Sequence, residues 1–123
     1  MSNYNKILDK YWQLNIAQKI IFFNVILFVL PLVVFVFFYL FEIPKMNLYH
    51  YFELLPNIGD LFYRPWSLIT YGFIHASIAH LFWNMFLFYY FSTLFLNLFK
   101  GDHLIALFCS GIIVGGLIFV FSY

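Results

Sequence analysis

Charge is what this sequence has least of. Only 9% of its 123 residues are Asp, Glu, Lys or Arg, where soluble domains carry about a quarter. The 6 basic residues barely outnumber the 5 acidic ones, so no basic stripe exists to meet phosphates and nucleic acid is excluded as a partner. Cysteine is represented by Cys109 alone, which excludes an intrachain disulfide. Inside its apolar run it reads as a small buried hydrophobe. No HxxxH or HExxH pattern occurs, and His75 and His80 are five positions apart. That spacing turns them about 140° from one another on a helix, a poor basis for a metal site. Axial haem ligation needs histidines on facing helices, and only one apolar run holds any at depth. No metal and no cofactor is therefore expected. A cleavable secretory leader is also a poor fit, because the first apolar run opens only near residue 20 and extends far past a signal core.

What the sequence does have is apolar length. It is 65% hydrophobic and 26% aromatic, with a mean hydropathy of +0.92. The expected fold class is all-α: a polytopic membrane protein with three spans at about residues 20–41, 74–99 and 103–123. Residues 1–19 form a polar leader in which Ile7, Leu8, Tyr11, Trp12 and Leu14 fall at helical spacing between Lys6, Lys10 and Lys19. Trp and Tyr favour the headgroup region and Lys snorkels, so a short interfacial helix is expected there. Pro31 removes one backbone donor from the first span, and Asn24 is read as a hydrogen-bonding contact across helices.

Residues 42–71 hold Pro44, Pro56, Gly59 and Pro65 among many aromatics. They are too apolar to float free and too broken to span, so they read as a long interfacial first loop with short helices. Lys100, Gly101 and Asp102 read as a tight turn, with Gly101 suited to a left-handed cap. In the third span, Ser110, Gly111, Gly115 and Gly116 give a small-residue face, with the Gly111-xxx-Gly115 pair suited to packing on a neighbouring helix. The leader carries three lysines against one aspartate, whereas the loop has Lys45 and Arg64 against three acids. The positive-inside tendency then puts the N-terminus in the cytoplasm and the loop outside.

The segment RPWSLITYGFIHASIAHLFWNMFLFYYFSTLFLN, residues 64–97, is the chemical centre of the chain. His80 and Asn84 lie four apart and so project from one helix face, a turn apart, among Phe, Leu, Trp and Tyr. Polar groups at membrane depth are costly and are functional hypotheses by default. Two readings stay open on spacing alone. The pair either glues helices together by hydrogen bonds or supplies two donors to a developing oxyanion, where one good donor lowers an acyl-transfer barrier by about 3–4 kcal/mol.

This segment closely resembles the rhomboid family of intramembrane serine proteases. Trp66, Leu68, Thr70, Phe73 and His75 match that family's entry motif, and His80 and Asn84 match its HxxxN. The Gly-rich third span is similar too, and the resemblance extends over nearly all of residues 20–123, as a partial rhomboid membrane domain. It departs in having Arg64 before Trp66 and Ser67 after it, where the family often has Arg directly after the Trp. Ser92 and Leu96 or Asn97 also stand where a Gly and then a Glu commonly end the second span. The resemblance implies an oxyanion hole built from His80 and Asn84, with His75 in support and no cofactor. It implies single-pass transmembrane proteins as substrates, cleaved within a lipid bilayer, and a bacterial inner-membrane location.

The family's nucleophile lies in a GxSG-like motif on a later span, and its histidine base on one later still. None of Ser67, Ser77, Ser92, Ser110 and Ser122 has that setting. Ser77 lies three residues before His80 and is close enough to touch it, but no base and orienter surround it. No nucleophile or general base is expected within these residues, which would be a fragment inactive alone, with missing C-terminal helices as partners. The alternative is a non-enzymatic rhomboid-like membrane protein that binds transmembrane segments.

Overall fold

The computed structural model of the chain describes residues 3–44 and 47–123. Lys45, counted in the charge balance of the loop, lies outside the described residues. The elements are α1 (Asn3–Trp12), α2 (Ile16–Leu40), α3 (Leu48–Phe52), α4 (Ile58–Tyr63), α5 (Ser67–Thr70), a 3-10 turn (Tyr71–Phe73), α6 (Ile78–Leu96) and α7 (Gly101–Ser122). No strand occurs among the described residues, and α2, α6 and α7 are each long and apolar enough to cross a membrane. The expected all-α class with three spans and a loop of short helices is what the chain adopts.

Local chemistry sets the ends of these helices. Asn15 caps α2 by accepting from the Gln18 amide at 2.9 Å, and Gln18 returns the bond to the Asn15 amide at 3.1 Å. This reciprocal box satisfies two orphan donors and starts α2 four residues earlier than hydropathy alone marks. The helix runs on through Pro31 to Leu40. Beyond it Glu42 takes a left-handed conformation at φ 53. The Ile43 amide then reaches the Phe38 carbonyl at 2.9 Å, the pattern of a Schellman stop built without glycine. Asn24 does not bond across helices: it is fully buried and its amide donates to Ile20 of its own helix at 2.9 Å. Its Oδ1 is buried with no partner among the described residues.

The three long helices share a seam of heptad-like spacing. On α6 the buried and half-buried residues include Leu81, Met85, Phe88, Ser92 and Phe95. On α7 they include Leu104, Phe108, Ile112, Gly116 and Val120. Phe108 joins the layers, with its ring 5.3 Å from Phe88 and 5.9 Å from Phe73. Cys109 is exposed on α7 rather than buried, because it falls one position outside this seam.

Among the described residues, Gly115 and Gly116 of α7 meet the loop rather than a neighbouring span. Nothing lies within 4 Å of where a Gly111 side chain would begin, whereas a Cβ on Gly116 would meet Leu68 at 2.8 Å, Tyr71 at 2.9 Å and Leu54 at 3.2 Å. From the loop side, a Cβ on Gly72 would fall 2.8 Å from Ile112. The Tyr71 hydroxyl donates to the Ile112 carbonyl, tying the 3-10 turn to the middle of α7. Burial pushes the Tyr71 phenol up, which keeps it a donor. Gly101 is likewise no left-handed cap, since no glycine has positive φ among the described residues. It opens α7 and lets that helix approach α2, where its Cβ would lie 3.0 Å from Ile16.

These contacts predict opposite outcomes for two glycines of one helix. Gly116→Val should lower thermal stability in detergent by about 1–3 kcal/mol through overpacking. Gly111→Ala should be neutral or stabilising by up to about 1 kcal/mol. Equal destabilisation by both would contradict the loop-on-helix packing.

Candidate functional site

The site is reached through a loop that is pinned by its own polar residues. A five-residue helix such as α3 leaves its last carbonyls without partners, and at membrane depth such groups must be satisfied internally. Three side chains of the RPWSLIT segment meet them in turn. Arg64 Nη1 donates to the His50 carbonyl, Trp66 Nε1 to Tyr51 at 2.8 Å and Thr70 Oγ1 to Phe52 at 2.8 Å. Arg64 also lies 3.8 Å from Asp60 one turn back in α4. Ser67, the residue after Trp66, is buried and donates to the Arg64 carbonyl at 2.7 Å. An Arg placed two residues before the Trp thus holds the loop, and the small Ser after it packs where a longer side chain would not.

From the 3-10 turn the chain runs through residues 74–77 into α6. Ser77 caps that helix, its hydroxyl accepting from the His80 amide at 3.1 Å. This side-chain cap makes Ile78 the first helical residue, and residues 74–77 stay outside the helix. Ser77 does touch His80, then, but as the acceptor that positions its backbone.

His75 and His80 come together across this corner, with ring centroids 5.4 Å apart at 66°. His75 is 6% exposed, and its Nδ1 lies 3.1 Å from the Phe73 carbonyl, an acceptor only, so Nδ1 carries the proton. Burial pulls the His75 pKa down, the Phe73 carbonyl opposes this, and the nearby His80 adds to the lowering. The His80 ring is oriented the other way. Its Nδ1 accepts from the Ala76 amide at 3.4 Å, which leaves the proton of the neutral ring on Nε2. One turn on, Asn84 has no hydrogen-bond partner among the described residues, and both side chains are exposed. They stand on the stripe of α6 one position N-terminal to the seam residues Leu81 and Met85.

Two cavities open elsewhere in the bundle, one of them reaching His75. One of about 690 Å³ lies between α6 and α7, lined by Phe88, Phe91, Ser92, Phe108 and Gly111 among others. The second, of about 310 Å³, lies between α2 and the loop, with Pro31, Phe52, Thr70 and His75 in its wall. His80 and Asn84 line neither. No group of three or more His, Cys, Asp or Glu suited to a metal occurs among the described residues.

Hydropathy and helical period point to His80 and Asn84. They do not reveal Ala76 and Ser77, the groups that fix the His80 tautomer and backbone. A serine three residues ahead of the histidine is the one signal for them, as a helix N-cap. Compared with known proteins, residues 63–123 match the family model described as Rhomboid domain. No curated protein and no solved structure matches the chain.

A buried His75 with a lowered pKa has a consequence for stability. The unfolded chain takes the proton first, at about pH 6.5. Stability contributed by neutral His75 is therefore complete above that value. It falls as pH drops below it, until the folded imidazole also protonates. Melting temperatures in detergent should show this acid-side decline, and His75→Gln should flatten it. An unchanged slope in His75→Gln would rule out the buried neutral imidazole.

Proposed function

The chain belongs to the rhomboid family through residues 63–123, and from that premise we propose that it supplies the oxyanion-binding face of an intramembrane serine endopeptidase. His80 and Asn84 are the donors, His75 and Ser77 position His80, and the substrates are transmembrane segments of single-pass membrane proteins in a bilayer. The observation that carries this reading is the pair of donors left open on one face of α6. The His80 ring has its Nδ1 engaged by Ala76, and Asn84 has no partner among the described residues.

The chemistry follows from what acyl transfer builds. As a nucleophile attacks a peptide carbonyl, charge gathers on the carbonyl oxygen. Fixed donors in a medium of low dielectric stabilise that charge more than they stabilise the ground-state carbonyl. A neutral His80 contributes Nε2–H and Asn84 contributes an amide N–H, one helical turn apart. Neither requires a net charge within the membrane, which would be far more costly than two dipoles. The reading also specifies what these residues do not supply. The attacking serine and the base that activates it are to be sought in a GxSG-bearing span and a later histidine-bearing span joined to this bundle. Helix glue is the competing role for the pair, but it requires partners, and none is found for the Asn84 side chain among the described residues.

The test is made on the bundle joined to its serine-bearing and histidine-bearing spans. Asn84→Ala should lower turnover of a transmembrane substrate by about 10²–10³-fold with nearly unchanged KM and melting temperature. A loss of stability matching the loss of turnover would return Asn84 to a structural role. A chain that binds transmembrane segments but cleaves none would favour the non-enzymatic reading.

A further inference from the structure

One end of the bundle carries a surface that plays no part in the proposed site. On α1, Ile7, Leu8, Tyr11 and Trp12 occupy one side of the helix, while Lys6 and Lys10 share the other, a turn apart. Ile7 and Trp12 are 69% and 70% exposed, too apolar to be left in water. The helix is held beside the bundle: the Tyr11 ring is 5.5 Å from Phe22 of α2. The Lys19 ammonium sits 5.5 Å from the Tyr11 ring and 5.3 Å from the Trp12 ring. Only three residues separate α1 from the spanning α2, so α1 cannot leave the level at which α2 enters the apolar layer. Close approach of Gly101 to Ile16 brings Lys100 to the same end. Four lysines thus gather there against Asp9 and Asp102. The opposite end carries Glu42, Glu53 and Asp60 against Arg64 among the described residues.

We infer that this end, formed by α1, the start of α2 and the α6–α7 turn, docks on the headgroups of anionic phospholipids. The apolar side of α1 enters the acyl boundary, and Lys6, Lys10, Lys19 and Lys100 engage phosphate charge. Lipid is the occupant favoured by position, because the exposed side of α1 is continuous with the apolar surface of α2. It is anionic lipid because the charge at this end is positive, in contrast to the acidic loop end. Lys19 over two aromatic rings keeps a cation at the headgroup level while its stem covers apolar surface.

Native mass spectrometry of the full chain in detergent, titrated with phosphatidylglycerol or phosphatidylcholine, tests this. Phosphatidylglycerol should be retained in preference. The preference should fall about fivefold for each lysine neutralised in Lys6→Gln and Lys10→Gln and survive in Lys6→Arg and Lys10→Arg. A spin label on Leu8→Cys, with Cys109→Ser, should be relaxed by oxygen in bilayers more than by a water-soluble nickel complex. Equal retention of the two lipids, a preference untouched by Lys6→Gln and Lys10→Gln, or a label accessible chiefly to the nickel complex would each overturn the inference.

Discussion

Everything in the upper part of this molecule hangs on three donors meeting three carbonyls. Arg64, Trp66 and Thr70 satisfy His50, Tyr51 and Phe52 in order. Each neutral bond contributes about 0.5–1.5 kcal/mol net, and the one from Arg about 1.5–3. Their larger effect is to avoid the penalty of orphaned carbonyls where water is scarce. Because the donors are spread over seven residues, the RPWSLIT segment must lie along the end of α3. The 3-10 turn that follows is thereby delivered onto α7. There Gly72 and Gly116 let backbone and side chains close up, and the Tyr71 hydroxyl finds Ile112. The loop is a wedge between α2 and α7, closed on itself by its own hydrogen bonds.

The corner into α6 inherits this rigidity. His75 is buried under the loop and bonded to Phe73 of the pinned turn, and it packs edge-on against His80. Ala76 and Ser77, on the same short link, take hold of the His80 ring nitrogen and backbone amide. A side chain on the first turn of a helix is ordinarily free to choose among rotamers and tautomers. Here both choices are limited by backbone that the loop has already placed. An oxyanion donor needs that kind of preparation, because a group that must reorganise during the reaction returns much of the energy it would supply.

The sequence shows the three spans, the broken aromatic loop and the His80–Asn84 stripe, since each rests on hydropathy or on the helical period, which are local properties. It also shows Arg64 and Trp66 in positions that do not follow the common order, without showing that the displaced Arg still reaches a carbonyl of α3. What it conceals is the identity of partners. A run of glycines in α7 announces close packing, but whether a helix or a loop fills the space depends on where the chain returns. Gly111 turned out open and Gly116 filled by Leu68, Tyr71 and Leu54. The start of α6 was hidden for a similar reason: the sequence reads as one run from Ile74 onward, and the bond from the His80 amide to the Ser77 hydroxyl marks the boundary. Asn24 looked like a bridge between helices and instead bonds within its own turn, because an i−4 carbonyl is always within reach of a short amide side chain.

Nitrogen-15 NMR of the full chain in bilayers, with histidine labelled, addresses the central claim most directly by reading which nitrogen of the neutral His80 ring holds the proton. The account requires a protonated Nε2 and an unprotonated Nδ1, the reverse of His75, with an Ala76→Pro replacement releasing that preference. A His80 ring protonated on Nδ1, or one that exchanges freely between the two forms, would contradict it.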